Sequence, residues 1–374
     1  MTASPKTLDM VAAVALAPNA DFSVEALQIE APRPNEVLVR IAGVGVCHTD
    51  IVTRDQFIPV PLPAVLGHEG AGIVQAVGVA VTKVKPGDTV ILGFSSCGHC
   101  ARCAENLPSY CIDFPVLNYA GARPDGSSGL YRDGRPLSSN FFGQSSFASL
   151  ALADARNVVK VDATGLRLEI LGPLACGLQT GAGGVMRSLK CPAQSTIAIF
   201  GGGPVGLAAV MAAKIQQCST IILVEPVKAR RTMALELGAT HVIDPASGDV
   251  TAGIRALLPQ GVDFAFETSG REAVVEAALA CLTSRGMLGL VGIPPKPESS
   301  VSVNLASLIT YGHRIVGIIE GDSDLETFIP ELITLHRQGR FPFDKLLSIF
   351  PLTQINEAIA AQHRGDCIKA VLTP

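Results

Sequence analysis

Four of the ten cysteines fall within one short stretch, as Cys97-Gly-His-Cys100-Ala-Arg-Cys103 followed by Cys111. Four thiolates close a tetrahedral shell around Zn²⁺ and leave no position for water or substrate, so this cluster predicts a structural metal site. Two disulfides are the competing arrangement, but cysteines two residues apart in one loop suit chelation better than two unstrained bridges. His99 lies inside the cluster and could replace a cysteine. Four thiols already suffice, and an exposed loop histidine is the simpler reading.

A second chemical signal is Phe200-Gly201-Gly-Gly203-Pro-Val205-Gly206, directly after an apolar strand pattern and directly before a helical one. In that setting the glycines allow a tight turn and close backbone approach, and the helix start offers free N–H groups to a pyrophosphate. Glu225 ends the next strand. A carboxylate there can accept hydrogen bonds from ribose hydroxyls and would repel a 2′-phosphate, which favours NAD. Lys228 and Arg230 follow closely and could soften that preference towards NADP.

Three further candidates are dispersed. Cys47 stands in Val46-Cys47-His48-Thr49-Asp50, His68 in Gly67-His68-Glu69-Gly70, and Cys176 in Gly172-Pro-Leu-Ala-Cys-Gly177. Each alone reads as a small buried hydrophobe or a satisfied core histidine. Spacing cannot assemble residues so far apart.

The elements that must carry these residues change character along the chain. From Ala12 to about Leu152 short strands alternate with turns, as in Glu36-Val-Leu-Val-Arg-Ile-Ala-Gly and Gly72-Ile-Val-Gln-Ala-Val-Gly. After Cys176 strand and helix alternate: Ser195–Phe200, a helix through Lys214, Thr220–Val224, a helix Lys228–Leu237, then strands at His241–Ile243, Val262–Glu267, Met287–Gly292 and Arg314–Ile319. That rhythm predicts parallel strands with crossover helices. The tail carries a helix, Phe328–Arg337, and a final strand Ile368–Leu372 that should return to the first domain. With 374 residues, two cores are expected. The fold class is therefore α/β, a parallel-sheet nucleotide domain at 178–319 beside a discontinuous, mainly β domain at 1–177 and 320–374.

Composition excludes several partners. A net charge of −4 and 17% charged residues suggest no basic nucleic-acid surface. No apolar run reaches the length of a membrane span. The apolar run Met10–Ala17 follows Asp9 and continues into alternating Phe22–Ile29, so it reads as fold rather than a secretory signal. A thiol-rich chain without a signal is expected in the cytoplasm.

Taken together, Cys47-His-Thr-Asp50, Gly67-His-Glu-Gly-Ala-Gly72, the four-cysteine lobe and the glycine turn occur in the order seen in the zinc-dependent medium-chain alcohol dehydrogenases, which the chain resembles from about Ala12 to its end. Phe141-Phe-Gly-Gln-Ser-Ser-Phe147 resembles the aryl-alcohol (benzyl alcohol) and geraniol dehydrogenase branch. The resemblance implies a Rossmann domain, a GroES-like catalytic domain and two zinc ions per subunit. Cys47, His68 and Cys176 would hold the catalytic one, with an open fourth position, and the tetrad the structural one. Asp50 would orient His68, Thr49 would hold the alcohol hydroxyl, and Glu69 would exchange onto the metal. His48 or Lys369 would meet the pyrophosphate, the latter being otherwise an exposed lysine. Relatives often place a relay histidine where this chain has Val52, so proton exit would run through the cofactor ribose and His48.

The resemblance also assigns Thr180, Val205, Val291 and Ile293 to the cofactor, and Ile51, Phe94, Phe142, Ile293 and Ile318 to an apolar substrate pocket. It implies reversible oxidation of a benzylic or allylic primary alcohol to the aldehyde with NAD, in a cleft between domains. Other alcohol classes, including a formaldehyde adduct, and a non-catalytic zinc- and nucleotide-binding protein are the alternatives. The polar stretch 117–139 is similar to insertions of dimeric members, which implies a homodimer paired through the nucleotide-domain sheets.

Overall fold

The computed structural model describes residues 7–374, which form two compact units. The first holds the chain up to Cys176 together with Asp324–Glu331 and Leu346–Pro374. The second holds Gly177–Ser323 and Leu332–Lys345. The C-terminal return therefore begins at Asp324 rather than 320, and 332–345 groups with the second unit. Phe341 and Phe343 are fully buried there, and the latter's ring packs on His336 with centroids 4.5 Å apart.

In the first unit, Thr7–Ala15 pairs antiparallel with Ser23–Glu30, and the five-stranded sheet is extended by Ala64–Val65 on one side and Leu130–Arg132 and Arg135–Leu137 on the other. The seven-stranded sheet centres on Glu36–Gly45, flanked by Gly70–Val77 and by the C-terminal strand Lys369–Thr373. Alternation turns Met10, Ala12, Val14, Leu27, Ile29 and Leu38 into one core with Val65, Leu130, Leu137 and Leu150. Each large apolar side chain so buried contributes about 1.5–3 kcal/mol.

The 117–139 stretch is not a featureless insertion. Asp133 and Gly134 both have positive φ, 51° and 75°, as a two-residue hairpin turn requires, so the stretch ends in a hairpin that joins the sheet. Arg123 fastens it. Its guanidinium meets Glu36 at 2.6 and 3.0 Å and Glu30 at 2.8 Å, while Tyr131 donates to Glu30 at 2.6 Å.

The second unit contains six parallel strands in the order His241–Ile243, Thr220–Val224, Thr196–Phe200, Val262–Glu267, Leu282–Leu290 and Arg314–Gly317. This is the doubly wound order in which ligands bind at the carboxyl ends of the strands, where the order reverses. All six expected strands are present. Leu282–Leu290 starts five residues before its expected onset, across a register irregularity opposite Val262 and Phe264. Among the described residues no helix is long and apolar enough to cross a membrane.

Candidate active site

Strand Glu36–Gly45 delivers Cys47 to the start of the helix His48–Arg54. Asp50, three residues on, reaches back so that its Oδ2 accepts from the Cys47 backbone N–H at 2.9 Å. Its Oδ1 accepts from the Gly67 N–H at 3.1 Å and lies 2.8 Å from His68 Nδ1. One fully buried carboxylate thus fixes the backbone of one candidate ligand and the ring of another. With Nδ1 donating to Asp50, the His68 lone pair is left on Nε2.

His68 Nε2 is buried and has no hydrogen-bond partner among the described residues. A buried imidazole nitrogen without a partner is costly unless something absent from the chain meets it. The Cys47 and Cys176 sulfurs are 3.9 Å apart, and with His68 and Glu69 they offer ligand atoms all within 4.8 Å of one another. Two Zn–S bonds of about 2.3 Å at the tetrahedral angle would separate the sulfurs by about 3.8 Å. The donor set fits zinc. Its electrostatics agree: contact with Cys176, then with His68 and Lys369, holds the Cys47 thiol well below its usual range despite burial. Burial opposes charge on His68, yet Asp50 and Cys47 outweigh it and raise the imidazole well above its ordinary value. The pocket asks for a cation.

Glu69 lies beside this trio. Burial pushes its carboxyl up, and Lys369 offsets part of that. Lys369 donates to Glu69 Oε1 at 2.7 Å and to the Val46 carbonyl at 2.8 Å, with only 1% of its surface exposed. The expectation of an exposed lysine is therefore wrong. Lys369 opens a strand inside the seven-stranded sheet, and two of its three donors are engaged by Val46 and Glu69 rather than offered to a pyrophosphate. Gly45 leaves room for Glu69: a Cβ there would stand 1.9 Å from Oε2.

The tetrad Cys97, Cys100, Cys103 and Cys111 also converges, with sulfur pairs at 4.0 Å for Cys97–Cys103 and for Cys100–Cys111. These separations match the tetrahedral edge and are twice a disulfide bond. His99 is exposed, its Nδ1 2.9 Å from the Cys97 carbonyl. Arg156 donates to that carbonyl at 2.6 Å and holds the loop from outside.

Thr49 is half-buried with its hydroxyl 3.6 Å from the Cys47 sulfur, His48 is exposed at the helix start, and Val52 is half-buried on the same helix. Ile51, Phe94 and Phe142 are buried in the first unit. Phe94 and Phe142 both pack on Phe114, and Phe142 also meets Tyr119 and Phe141. These rings form one aromatic cluster.

Within the second unit, Gly201 takes φ 103° and Gly203 caps the helix Pro204–Ile215, which includes Val205 and Gly206. A Cβ on Gly206 would stand 1.8 Å from the Gly201 carbonyl, whereas one on Gly203 would meet nothing within 4 Å, leaving an open cradle before the helix N-terminus. Glu225 is buried, accepting from Gly202 N–H at 2.5 Å and Val227 N–H at 2.8 Å. Lys228 is exposed and Arg230 half-buried. Val291, Ile293 and Ile318 follow the ends of neighbouring strands, and Thr180 lies buried on the helix Gly177–Gly183.

Two residues have structural roles that the sequence does not mark, Gln144 within the Phe141–Phe147 stretch and Arg231. Gln144 accepts from Gly70 N–H at 3.1 Å and donates to the His68 carbonyl at 2.9 Å, bracing the turn that bears the histidine. Arg231 donates to the Glu225 and Pro226 carbonyls, each at 2.7 Å, and pairs with Asp244 at 2.8 Å. Local spacing reveals neither role, and only the fold brings their partners near.

Comparison with known proteins agrees with both halves. Residues 33–163 match the alcohol dehydrogenase GroES-like domain, and 204–334 match the zinc-binding dehydrogenase domain. The chain is 48% identical over 353 residues to the geraniol dehydrogenase of Castellaniella defragrans, covering 94% of each. Its fold superposes on an alcohol dehydrogenase zinc-binding domain protein of Burkholderia ambifaria with a TM-score of 0.96 at 50% identity, over 98% of this chain and 99% of that one. The benzyl alcohol dehydrogenase of Acinetobacter calcoaceticus gives 0.94 at 40% identity, again over 98% and 99%. The chain belongs to the zinc-binding alcohol dehydrogenase family of oxidoreductases.

Proposed function

We propose that the protein oxidises a lipophilic primary alcohol, benzylic or allylic, to its aldehyde, reversibly and with NAD as hydride acceptor. The observation that carries this reading is the unpartnered His68 Nε2 facing the Cys47 and Cys176 sulfurs, with Glu69 as a fourth donor that substrate would displace, in a chain that also gathers four cysteines into a separate cluster. A zinc ion in the open set supplies Lewis acidity that favours loss of the alcohol proton near neutral pH.

The chain's own residues do the rest. Asp50 keeps Cys47 and His68 in place. Thr49 takes the hydroxyl proton's hydrogen bond, and exposed His48 at the helix start passes the proton outward, a route made necessary because Val52 cannot carry it. Phe94 and Phe142, with Ile51, exclude water and select an apolar substrate. The geraniol and benzyl alcohol dehydrogenases among the relatives support that class. Gly201, Gly203 and Gly206 receive the pyrophosphate, and Glu225 takes the ribose. Arg231 is engaged by Asp244 and two carbonyls, which removes one cation from any 2′-phosphate and favours NAD. Thr180, Val205, Val291 and Ile293 border the cofactor, with Lys228 and Arg230 at its adenosine end.

A homodimer is supported by the edge strand Arg314–Gly317 with its exposed Ile315, and by the exposed Leu305 and Ile309 of the preceding helix Leu305–Tyr311. Ten cysteines, none of them in a disulfide among the described residues, suit the reducing cytoplasm. The deciding experiment is a panel of benzyl alcohol, geraniol, cinnamyl alcohol and ethanol, each with NAD and NADP, followed at the reduced-nicotinamide absorbance. The first three should outrun ethanol by kcat/KM, with NAD preferred. Preference for ethanol, or no turnover with two zincs bound, sinks the reading.

A further inference from the structure

Phe142 occupies a backbone conformation that a phenylalanine rarely adopts. Its φ of 49° and ψ of 33° lie in the left-handed region, where a bulky residue is an outlier that persists only when surrounding structure imposes it. The imposing structure is visible on both sides. Phe141 N–H donates to Ser145 Oγ at 2.9 Å, and that hydroxyl donates to the Val65 carbonyl at 2.7 Å. Gln144 clasps Gly70 N–H and the His68 carbonyl, while Ser146 and Phe147 N–H groups donate to the Gly67 and Leu66 carbonyls at 2.9 and 3.0 Å. The loop bearing Phe142 is thus bonded along residues 65–70, the turn that carries His68.

This strained, clamped backbone places the Phe142 ring on the face of the His68 imidazole, with centroids 4.4 Å apart and planes 24° from parallel. Phe141 closes against the same imidazole edge-on at 5.6 Å. Phe114, Tyr119 and Phe141 in turn pack around Phe142 at 4.9–6.1 Å, so its ring cannot swing away without displacing three others. Asp50 holds one atom of the imidazole, which still leaves the ring free to tilt about that hydrogen bond. A flat wall against its face removes the tilt.

We propose that Phe142 is a positioning residue for the catalytic metal, setting the plane of the His68 imidazole so that Nε2 points into the space beside the Cys47 and Cys176 sulfurs. The proposal rests on the metal assignment above and goes beyond a role for Phe142 as substrate wall. Backbone strain at this position is the local cost of that orientation.

Phe142→Leu keeps an apolar side chain but loses the flat face, and Phe142→Tyr keeps the face. Zinc transfer from the intact protein to the chelator 4-(2-pyridylazo)resorcinol should release one of the two zincs about tenfold faster in Phe142→Leu than in wild type, if the lower end of the affinity loss that follows removal of an outer-shell partner falls on the release step. The other zinc, in the cysteine tetrad, should leave at the wild-type rate and reports that the chain is folded. Phe142→Tyr should restore wild-type release. With Co²⁺ in the faster-exchanging site, the visible ligand-field bands should shift in Phe142→Leu and not in Phe142→Tyr. Unchanged release and spectra, with only the alcohol KM altered, would overturn the proposal and leave Phe142 a pocket wall. Equal acceleration of both zincs would overturn it too, since the effect would then lie in overall folding. Neither readout needs turnover, so a wild-type protein with two zincs and no alcohol oxidation would defeat the proposed function alone.

Discussion

Replacing Asp50 by Asn preserves shape but changes which atoms can accept. The Asp50 carboxylate takes bonds from His68 Nδ1, Gly67 N–H and Cys47 N–H at 2.8, 3.1 and 2.9 Å, and all three partners are donors. An amide offers one accepting oxygen. Kept towards His68 and Gly67, that oxygen turns the NH₂ group onto the Cys47 N–H, so one bond is lost and two buried donors face each other. A hydrogen bond to a charged group contributes about 1.5–3 kcal/mol. Loss of such an outer-shell partner lowers metal affinity by about 10–100-fold, or about 1.4–2.8 kcal/mol, and the two estimates agree. Competition for zinc against a chromogenic chelator should therefore show one site weakened by that factor and the tetrad site untouched. Excess zinc should recover part of the kcat/KM. Zinc affinity within about twofold of wild type would refute the claim that Asp50 sets the geometry of the trio, because an outer-shell ligand of this kind cannot be that silent.

Cys103→Ala should remove one zinc and lower the thermal midpoint, with kcat per remaining zinc unchanged; a fully stable, inactive variant would show that the two metal sites had been exchanged. Arg123→Met leaves Glu30 and Glu36 facing each other beside buried surface and should cost about 3–5 kcal/mol in urea unfolding. In the wild type, burial pushes the Glu30 carboxyl up, but Tyr131 and Arg123 more than offset it and hold it below the usual 4.5. That stabilisation is complete above pH 4.5 and is lost as pH falls through the lowered value, so unfolding midpoints of wild type and Arg123→Met should converge below pH 4.5. If Glu225 takes the ribose as proposed, Glu225→Gln should raise the KM for NAD about tenfold and narrow any advantage over NADP, checked by initial rates with both cofactors.

The nucleotide half was legible because its signals are local. Gly201, Gly203, Gly206 and Glu225 sit at fixed offsets along one strand–helix–strand unit, and six apolar runs of strand length mark its sheet. The cysteine tetrad was legible for the same reason. Cys47, His68 and Cys176 were not, since nothing in their neighbourhoods distinguishes a ligand from a core residue; only resemblance joined them, and the three-dimensional structure supplies the distances. What remained hidden lies in side-chain partnerships across the sheets. Lys369 meets Glu69 because its strand returns beside Glu36–Gly45, 300 residues away along the chain. Gln144 and Phe142 act on His68 through a loop whose conformation depends on tertiary bonds. The Asp133-Gly134 hairpin is different: its Asp-Gly turn signal is present in the sequence, inside a stretch whose polar composition masks the short strands beside it.

Zinc content measured on the purified wild type and on Cys176→Ala tests the central claim most directly. Two zincs per chain should fall to one, with the fold retained by circular dichroism and alcohol oxidation abolished, because the open set loses a ligand while the tetrad stays closed. A Cys176→Ala protein that keeps two zincs and its activity would contradict the assignment of Cys47, His68 and Cys176 as the catalytic metal site.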